Sequence, residues 1–143
     1  MKTTNSASAR YEGLGKDGKG RVKTKSGAVD NPYGFQTRFE DAPGTNPEEM
    51  IAAAHASCFT MATSFQLAEA GYTEGELHTT CDVTLEDDGE GGFEVTKSAL
   101  KLTGKLPDCP KDKFEEIANK AKEGCPISKL LGCEITLETE YEG

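Results

Sequence analysis

A chain of 143 residues with 35% hydrophobic content, no Trp and 16 Gly fits one ordinary domain, yet its apolar material is thin for a self-sufficient monomer. The formal net charge of -9 excludes nucleic acid and anionic membrane as partners, because phosphate binding needs clustered Lys and Arg. Five cysteines with no C-x-x-C pair argue against a disulfide framework, a thioredoxin-type pair and a zinc motif, and for catalytic or simply buried thiols.

Residues 1–13 hold Lys2 and Arg10 but no apolar run that would serve as a signal-peptide core, so a cytoplasmic protein is expected. Short alternating runs at 9–14, 21–25 and 33–39, separated by Gly-rich turns, predict a small antiparallel meander. The basic residues Lys16, Lys19, Arg21, Lys23 and Lys25 alternate with Gly, Val and Thr, the pattern of a solvated strand face.

A long helix follows, opened by Asn46 as cap, Pro47 at the first helical position and Glu49 three residues past the cap, and closed by Gly71. Residues 50–68 carry no formal charge, but His55, Ser57, Thr60, Thr63, Ser64 and Gln66 make the stretch too polar to enter a membrane. It reads as a buried, Ala-rich central helix. Alternation over 77–85 and 93–102 around the turn 87–92 predicts a hairpin. Phe114, Ile117, Ala118 and Ala121 predict an amphipathic helix over 111–123, Pro126 opens a short helix through 131, and 133–141 reads as a final strand. Hairpins mixed with helices, without strict alternation, define an α+β class.

Two cysteines occupy special backbone positions. Cys125 stands at the expected N-cap of the helix that Pro126 opens, where free N–H groups favour a thiolate. Cys58 lies within the long helix among Ala53, Ala54, Ala56 and Ala62, small neighbours that leave room for another group to approach. Either can equally be a small core residue. Cys81 and Cys133 fall in expected strands and Cys109 in a loop, positions that need only a small side chain.

At Gly44-Thr45-Asn46-Pro47-Glu48-Glu49, followed by Ala52-Ala53-Ala54-His55-Ala56-Ser57-Cys58-Phe59, the sequence resembles the OsmC/Ohr family of hydroperoxide-detoxifying proteins. Gly124-Cys125-Pro126-Ile127-Ser128 is similar to that family's second cysteine motif, and the opening Tyr11-Glu12-Gly13 and the stretch from Pro32 to Phe39 look like its OsmC branch. The resemblance implies one domain over 1–143 with the OsmC/Ohr-like fold: antiparallel sheets around a long central helix, as an intertwined homodimer. It implies a peroxidase working without metal or prosthetic group, with Cys58 as peroxidatic thiol and Cys125 as resolving thiol. Arg38 and Glu48 fall where the family places its catalytic arginine and the acid that holds it. The substrate would be an organic hydroperoxide, and the Cys58–Cys125 disulfide would be reopened by an external dithiol, a lipoyl group in the Ohr branch. Cys81, Cys109 and Cys133 inherit no role.

Elementary chemistry supports these assignments. A guanidinium presents several donors to a thiolate and a peroxide, and a carboxylate orients it through a bidentate pair. Attack on the O–O bond leaves a sulfenic acid, which condenses with a second thiol. Glu48 and Cys58, ten residues apart, are separated by about 15 Å along an unbroken helix. Either the helix breaks between them or two subunits share each site. Phe35, Phe39, Met50, Phe59, Met61 and Leu130 are expected to line an apolar mouth, and His55 reads as a packed helix histidine. Three rival readings remain: a redox sensor without turnover, a zinc site from Cys109, Cys125, Cys133 and a histidine, and an acyl-transfer enzyme pairing Cys58 with His55.

Overall fold

A computed structural model of the protein describes residues 1–142 and divides the chain into two compact units, residues 1–50 and 51–143. The class is α+β.

In the first unit, β1 (Ala7–Glu12), a 3-10 turn (Gly15–Asp17), β2 (Lys19–Thr24) and β3 (Asp30–Tyr33) form an antiparallel sheet in the order β1-β2-β3. Lys19, Arg21, Lys23 and Lys25 are all exposed, and Arg21 pairs with Asp30 at 2.7 Å across the sheet. Tyr11 and Tyr33 pack edge to face at 5.9 Å over the place where β2 has Gly20, whose added Cβ would stand 2.6 Å from the Tyr33 ring. The expected strand over 33–39 is instead a helical turn, α1 (Phe35–Phe39). The Thr37 hydroxyl accepts from the Gly34 N–H at 2.8 Å and donates to the Gly34 carbonyl at 3.0 Å, a local loop that competes with sheet pairing. Phe35 and Phe39, one turn apart, then pack with their rings tilted at 49° and 5.1 Å between centroids.

Helix α2 (Pro47–Glu69) begins and ends as its residue types dictate. Asn46 Oδ1 accepts the Glu49 N–H at 2.8 Å. Glu49 does not reach back as a capping-box partner, because its carboxylate takes the Thr45 hydroxyl at 2.7 Å. At the other end the Tyr72 N–H bonds the Leu67 carbonyl and the Gly71 N–H the Ala68 carbonyl, with Gly71 at φ 98°, a double closure that relies on glycine's freedom.

The second unit is built on β4 (Glu76–Asp87), β5 (Phe93–Lys105) and β6 (Glu134–Glu142), with α3 (Lys111–Gly124) and α4 (Pro126–Leu130) between β5 and β6. The hairpin β4–β5 is antiparallel, with a bulge at Thr84/Leu85, and Asp88 accepts the Glu90 and Gly92 N–H groups in its turn. The sheet is not wholly antiparallel as expected. The two helices carry the chain back across, so β6 runs parallel to β5. Cys133 falls one residue before that strand.

The core joins Phe59 and Leu67 of α2, Leu100 and Leu102 of β5, and Phe114, Ile117, Ala118 and Ala121 of α3. Phe114 stacks on Tyr141 of β6 at 4.6 Å and lies against Gly104, where an added Cβ would come within 2.4 Å of the ring. The Tyr141 hydroxyl bonds the Leu106 and Cys109 carbonyls, closing the loop that holds Cys109. In this unit α2 is not buried on all sides as the sequence suggested. Only the stripe His55, Phe59, Thr63 and Leu67, spaced by four residues, is buried, while Met61 and Phe65 are 58% and 66% exposed.

Candidate active site

The long helix and the short helix after α3 bring two thiols together. Cys58 sits on α2 one residue before the fully buried Phe59 and is itself half-buried. Cys125 ends α3 and precedes Pro126 of α4, and it is entirely buried. Cys58 packs against the core cluster that holds Cys125, each thiol shifts the other's ionisation, and all five cysteines are free thiols.

Their surroundings treat them oppositely. Burial pushes the Cys58 thiol up and the neighbouring Cys125 sulfur pushes the same way, with only the Ile127 N–H pulling against them. Burial also pushes Cys125 up, but the Ser128 N–H, the Cys58 thiol, the Ser128 hydroxyl and the Ile127 N–H together carry it below its ordinary value. Cys125 makes no conventional side-chain cap bond, as a neutral thiol is a weak acceptor. The same donors gain strength once the sulfur is ionised.

His55, one helical turn before Cys58, is fully buried in this cluster. Its Nδ1 lies 2.6 Å from Ser98 Oγ of β5 and its Nε2 2.8 Å from Ser128 Oγ of α4. Burial lowers its pKa, which favours the neutral ring. Cys81 of β4 reaches Ser98 Oγ at 3.2 Å, and burial raises its pKa above the ordinary thiol value. Among the described residues every buried side-chain nitrogen and oxygen has a partner.

In the first unit Arg38 of α1 and Glu48 of α2 form a bidentate pair, Nε to Oε1 at 2.7 Å and Nη2 to Oε2 at 2.9 Å. The carboxylate side chain is 13% exposed and the guanidinium side chain 33%, so the acid is packed and the base presented. One edge of the guanidinium is thereby held and the other remains for a ligand. Arg38 lines a pocket of about 300 Å³ with Tyr11, Lys16, Tyr33, Phe35 and Phe39.

The structure therefore brings together the expected residues in two sets, Cys58 with Cys125 and Arg38 with Glu48. The expected apolar mouth is only partly as read. Phe35 and Phe39 line the Arg38 pocket, whereas Phe59 lies wholly in the core and Met61 faces a separate groove beside Ser57, Ser64 and β4. Among the described residues no three His, Cys, Asp or Glu side chains gather to hold a metal ion. The acyl-transfer alternative fails on geometry, because both His55 nitrogens face serines rather than Cys58. Sequence reasoning missed Ser128, Ser98 and Cys81. Ser128 had a signal, three residues after an N-cap, and the other two had only their β register to place them.

The chain belongs to the OsmC-like family: the family's sequence model, described as OsmC-like protein, matches residues 39–140. Among its relatives, peroxiredoxin OsmC of Escherichia coli strain K12 is 50% identical over 135 residues, 94% of each chain. The organic hydroperoxide resistance protein OhrB of Bacillus subtilis strain 168 is 31% identical over 104 residues, 72% of this chain and 74% of that one. The crystal structure of OhrB of Bacillus subtilis superposes with a TM-score of 0.71 at 27% identity, covering 98% of both chains.

Proposed function

We propose that this protein is a thiol peroxidase of oxidative-stress defence, reducing organic hydroperoxides and, less efficiently, hydrogen peroxide. The observation that carries the reading is the contact between a reachable sulfur, Cys58, and a wholly buried one, Cys125. Such a pair gives the outer thiol to the substrate and keeps the inner one for resolution. Cys58 attacks the O–O bond, releases an alcohol or water, and becomes a sulfenic acid. Cys125 displaces the hydroxyl to form the disulfide, and an external dithiol reopens it. Relatives named peroxiredoxin OsmC and organic hydroperoxide resistance protein support this chemistry.

Cys58 needs a cation, since its own unit raises its pKa. The Arg38–Glu48 pair is the natural source. Helix α2 is unbroken between Glu48 and Cys58, which keeps them about 15 Å apart along its axis. We infer that a second copy of the chain supplies the arginine, in a homodimer whose two sites are each composite. The uncharged exposed face of α2, with Met61 and Phe65, supports such pairing.

Peroxide consumption with dihydrolipoamide tests the chemistry. Wild type turns over, Cys58→Ser is inert, and Cys125→Ser reduces one equivalent of peroxide and stops. A Cys125→Ser variant with full turnover, or activity in Cys58→Ser, overturns the proposal. Mixed dimers of Cys58→Ser and Arg38→Ala chains test the sharing, because shared sites regain one active pocket and separate sites regain none.

A further inference from the structure

His55 and its two serines form a line of hydrogen bonds through the driest part of the second unit, from Cys81 through Ser98, His55 and Ser128 to the neighbourhood of Cys125. A neutral imidazole has one N–H and one bare nitrogen, and each serine has one proton to give. The line therefore has a direction, and only two directions exist. In the first, Ser128 donates to Nε2, Nδ1–H donates to Ser98, and Ser98 gives its proton to Cys81. Ser128 then has nothing left for Cys125. In the second, Cys81 donates to Ser98, Ser98 donates to Nδ1, and Nε2–H donates to Ser128, whose own proton is free for the Cys125 sulfur.

We propose that His55 is a positioning residue: in its Nε2–H form it fixes the Ser128 hydroxyl on Cys125 and makes that sulfur both the attacking thiolate in resolution and the sulfur expelled when the disulfide is reopened. The inference rests on the thiol-peroxidase reading and adds to it a reason for the order of events. In resolution the Cys125 thiolate attacks the Cys58 sulfur, an S–S bond forms, the S–O bond breaks, and the hydroxide leaves as water, matched by the proton that Cys125 gave up on ionising. In reduction the thiolate of the external dithiol attacks Cys58. The S–S bond breaks and its electron pair stays on Cys125, the sulfur with a waiting donor. The second thiol of the dithiol then displaces Cys58, and the dithiol leaves oxidised. A sulfur with a stabilised anion is the faster leaving group, so attack is directed to the outer sulfur.

The position of His55 fits a fixed element rather than a mobile base. Its ring is fully buried and held at both nitrogens, at 2.6 and 2.8 Å, from two different secondary-structure elements. The titratable groups on the line are Cys58 from α2, Cys81 from β4 and Cys125 before α4, and the charge that acts on it is Asp82, which together with Cys133 raises Cys81 at the far end from Cys125. Burial lowers the His55 pKa, in the direction of the neutral form that the directional line requires.

The test titrates Cys125 by its 13Cβ chemical shift in a Cys58→Ser protein with labelled cysteine, a measurement that needs neither peroxide nor reagent access. Ser128→Ala should raise the Cys125 midpoint by about one unit, a roughly tenfold loss of thiolate at pH 7. His55→Leu should raise it as much, and adding Ser128→Ala to His55→Leu should change it no further. The 15N shifts of His55 should report the Nε2–H form. An unchanged Cys125 midpoint in Ser128→Ala, a conservative change that a folded core tolerates, overturns the proposal, as does an Nδ1–H ring. Full additivity of the two substitutions does the same. A wild-type protein that consumes no hydroperoxide would instead remove the peroxidase reading and leave these titrations standing.

Discussion

The two clusters that carry the chemistry are built on opposite principles. Arg38 and Glu48 are full charges, ten residues apart in sequence, paired on partly exposed side chains in the first unit. The second unit holds Cys58, Cys125, His55, Ser98, Ser128 and Cys81, neutral groups drawn from four elements of secondary structure and the α3–α4 junction and mostly removed from water. Permanent charge stands where water can solvate it, because an unsolvated ion costs far more than its contacts return. Ionisation that must occur inside is limited to one sulfur surrounded by dipoles. On the proposed chemistry, the charged pair would recognise peroxide and the neutral cluster would manage sulfur.

That contrast can be broken in order of expected effect. Cys58→Ser removes the nucleophile and should lower peroxide turnover by more than about 10³-fold, measured as steady-state consumption with a dithiol. Arg38→Ala should cost about 10²- to 10³-fold in kcat/KM through loss of donors to the developing charge. Its pH profile gives the sharper result. With burial and Cys125 raising the Cys58 pKa unopposed by the guanidinium, the thiolate disappears at higher pH, so the acid limb of single-turnover reduction should move upward. An unmoved limb would mean that Arg38 binds substrate without acting on Cys58.

Gly104→Ala should leave the Arg38 region unaffected and destabilise the other unit by about 1–3 kcal/mol in urea unfolding, since the new Cβ would meet Phe114 at 2.4 Å. Glu48→Gln keeps the shape of the side chain but removes the charge that anchors the guanidinium. About a tenfold loss in kcat/KM is expected, mostly recovered at high substrate concentration if orientation of the ligand is the only casualty. A loss confined to stability, read by the same unfolding curve, would assign the pair to folding.

Much of this was legible in the residues. Asn46, Pro47 and Gly71 fixed the limits of α2 to within a residue, because caps act locally and do not wait for tertiary structure. Cys125 before Pro126 was placed for the same reason. Residues 35–39 were misread because Phe35, Arg38 and Phe39 look like a strand, and the Thr37 loop to Gly34 that turns them helical is a side-chain event. The parallel β6 was hidden because two short helices and two hairpin turns leave the same apolar alternation behind. Ser98 and Cys81 were beyond reach from sequence. They are diagonal neighbours only through the β4–β5 register, in which Cys81 faces Leu100 and Val83 faces Ser98. The Arg38–Glu48 pair was foreseen from family resemblance alone.

Two sulfurs already in contact also set a race after each encounter with peroxide. A sulfenic acid left waiting in a solvent-reachable place meets further oxidant and passes to the sulfinic state, from which most proteins do not return. On the proposed roles of Cys58 and Cys125 the trapping partner need not travel or unfold a helix to arrive, so the first oxidation would be converted to a reducible bond before the second can compete. On that proposal, endurance under a burst of oxidant would follow from the packing of Cys58 against the core that holds Cys125.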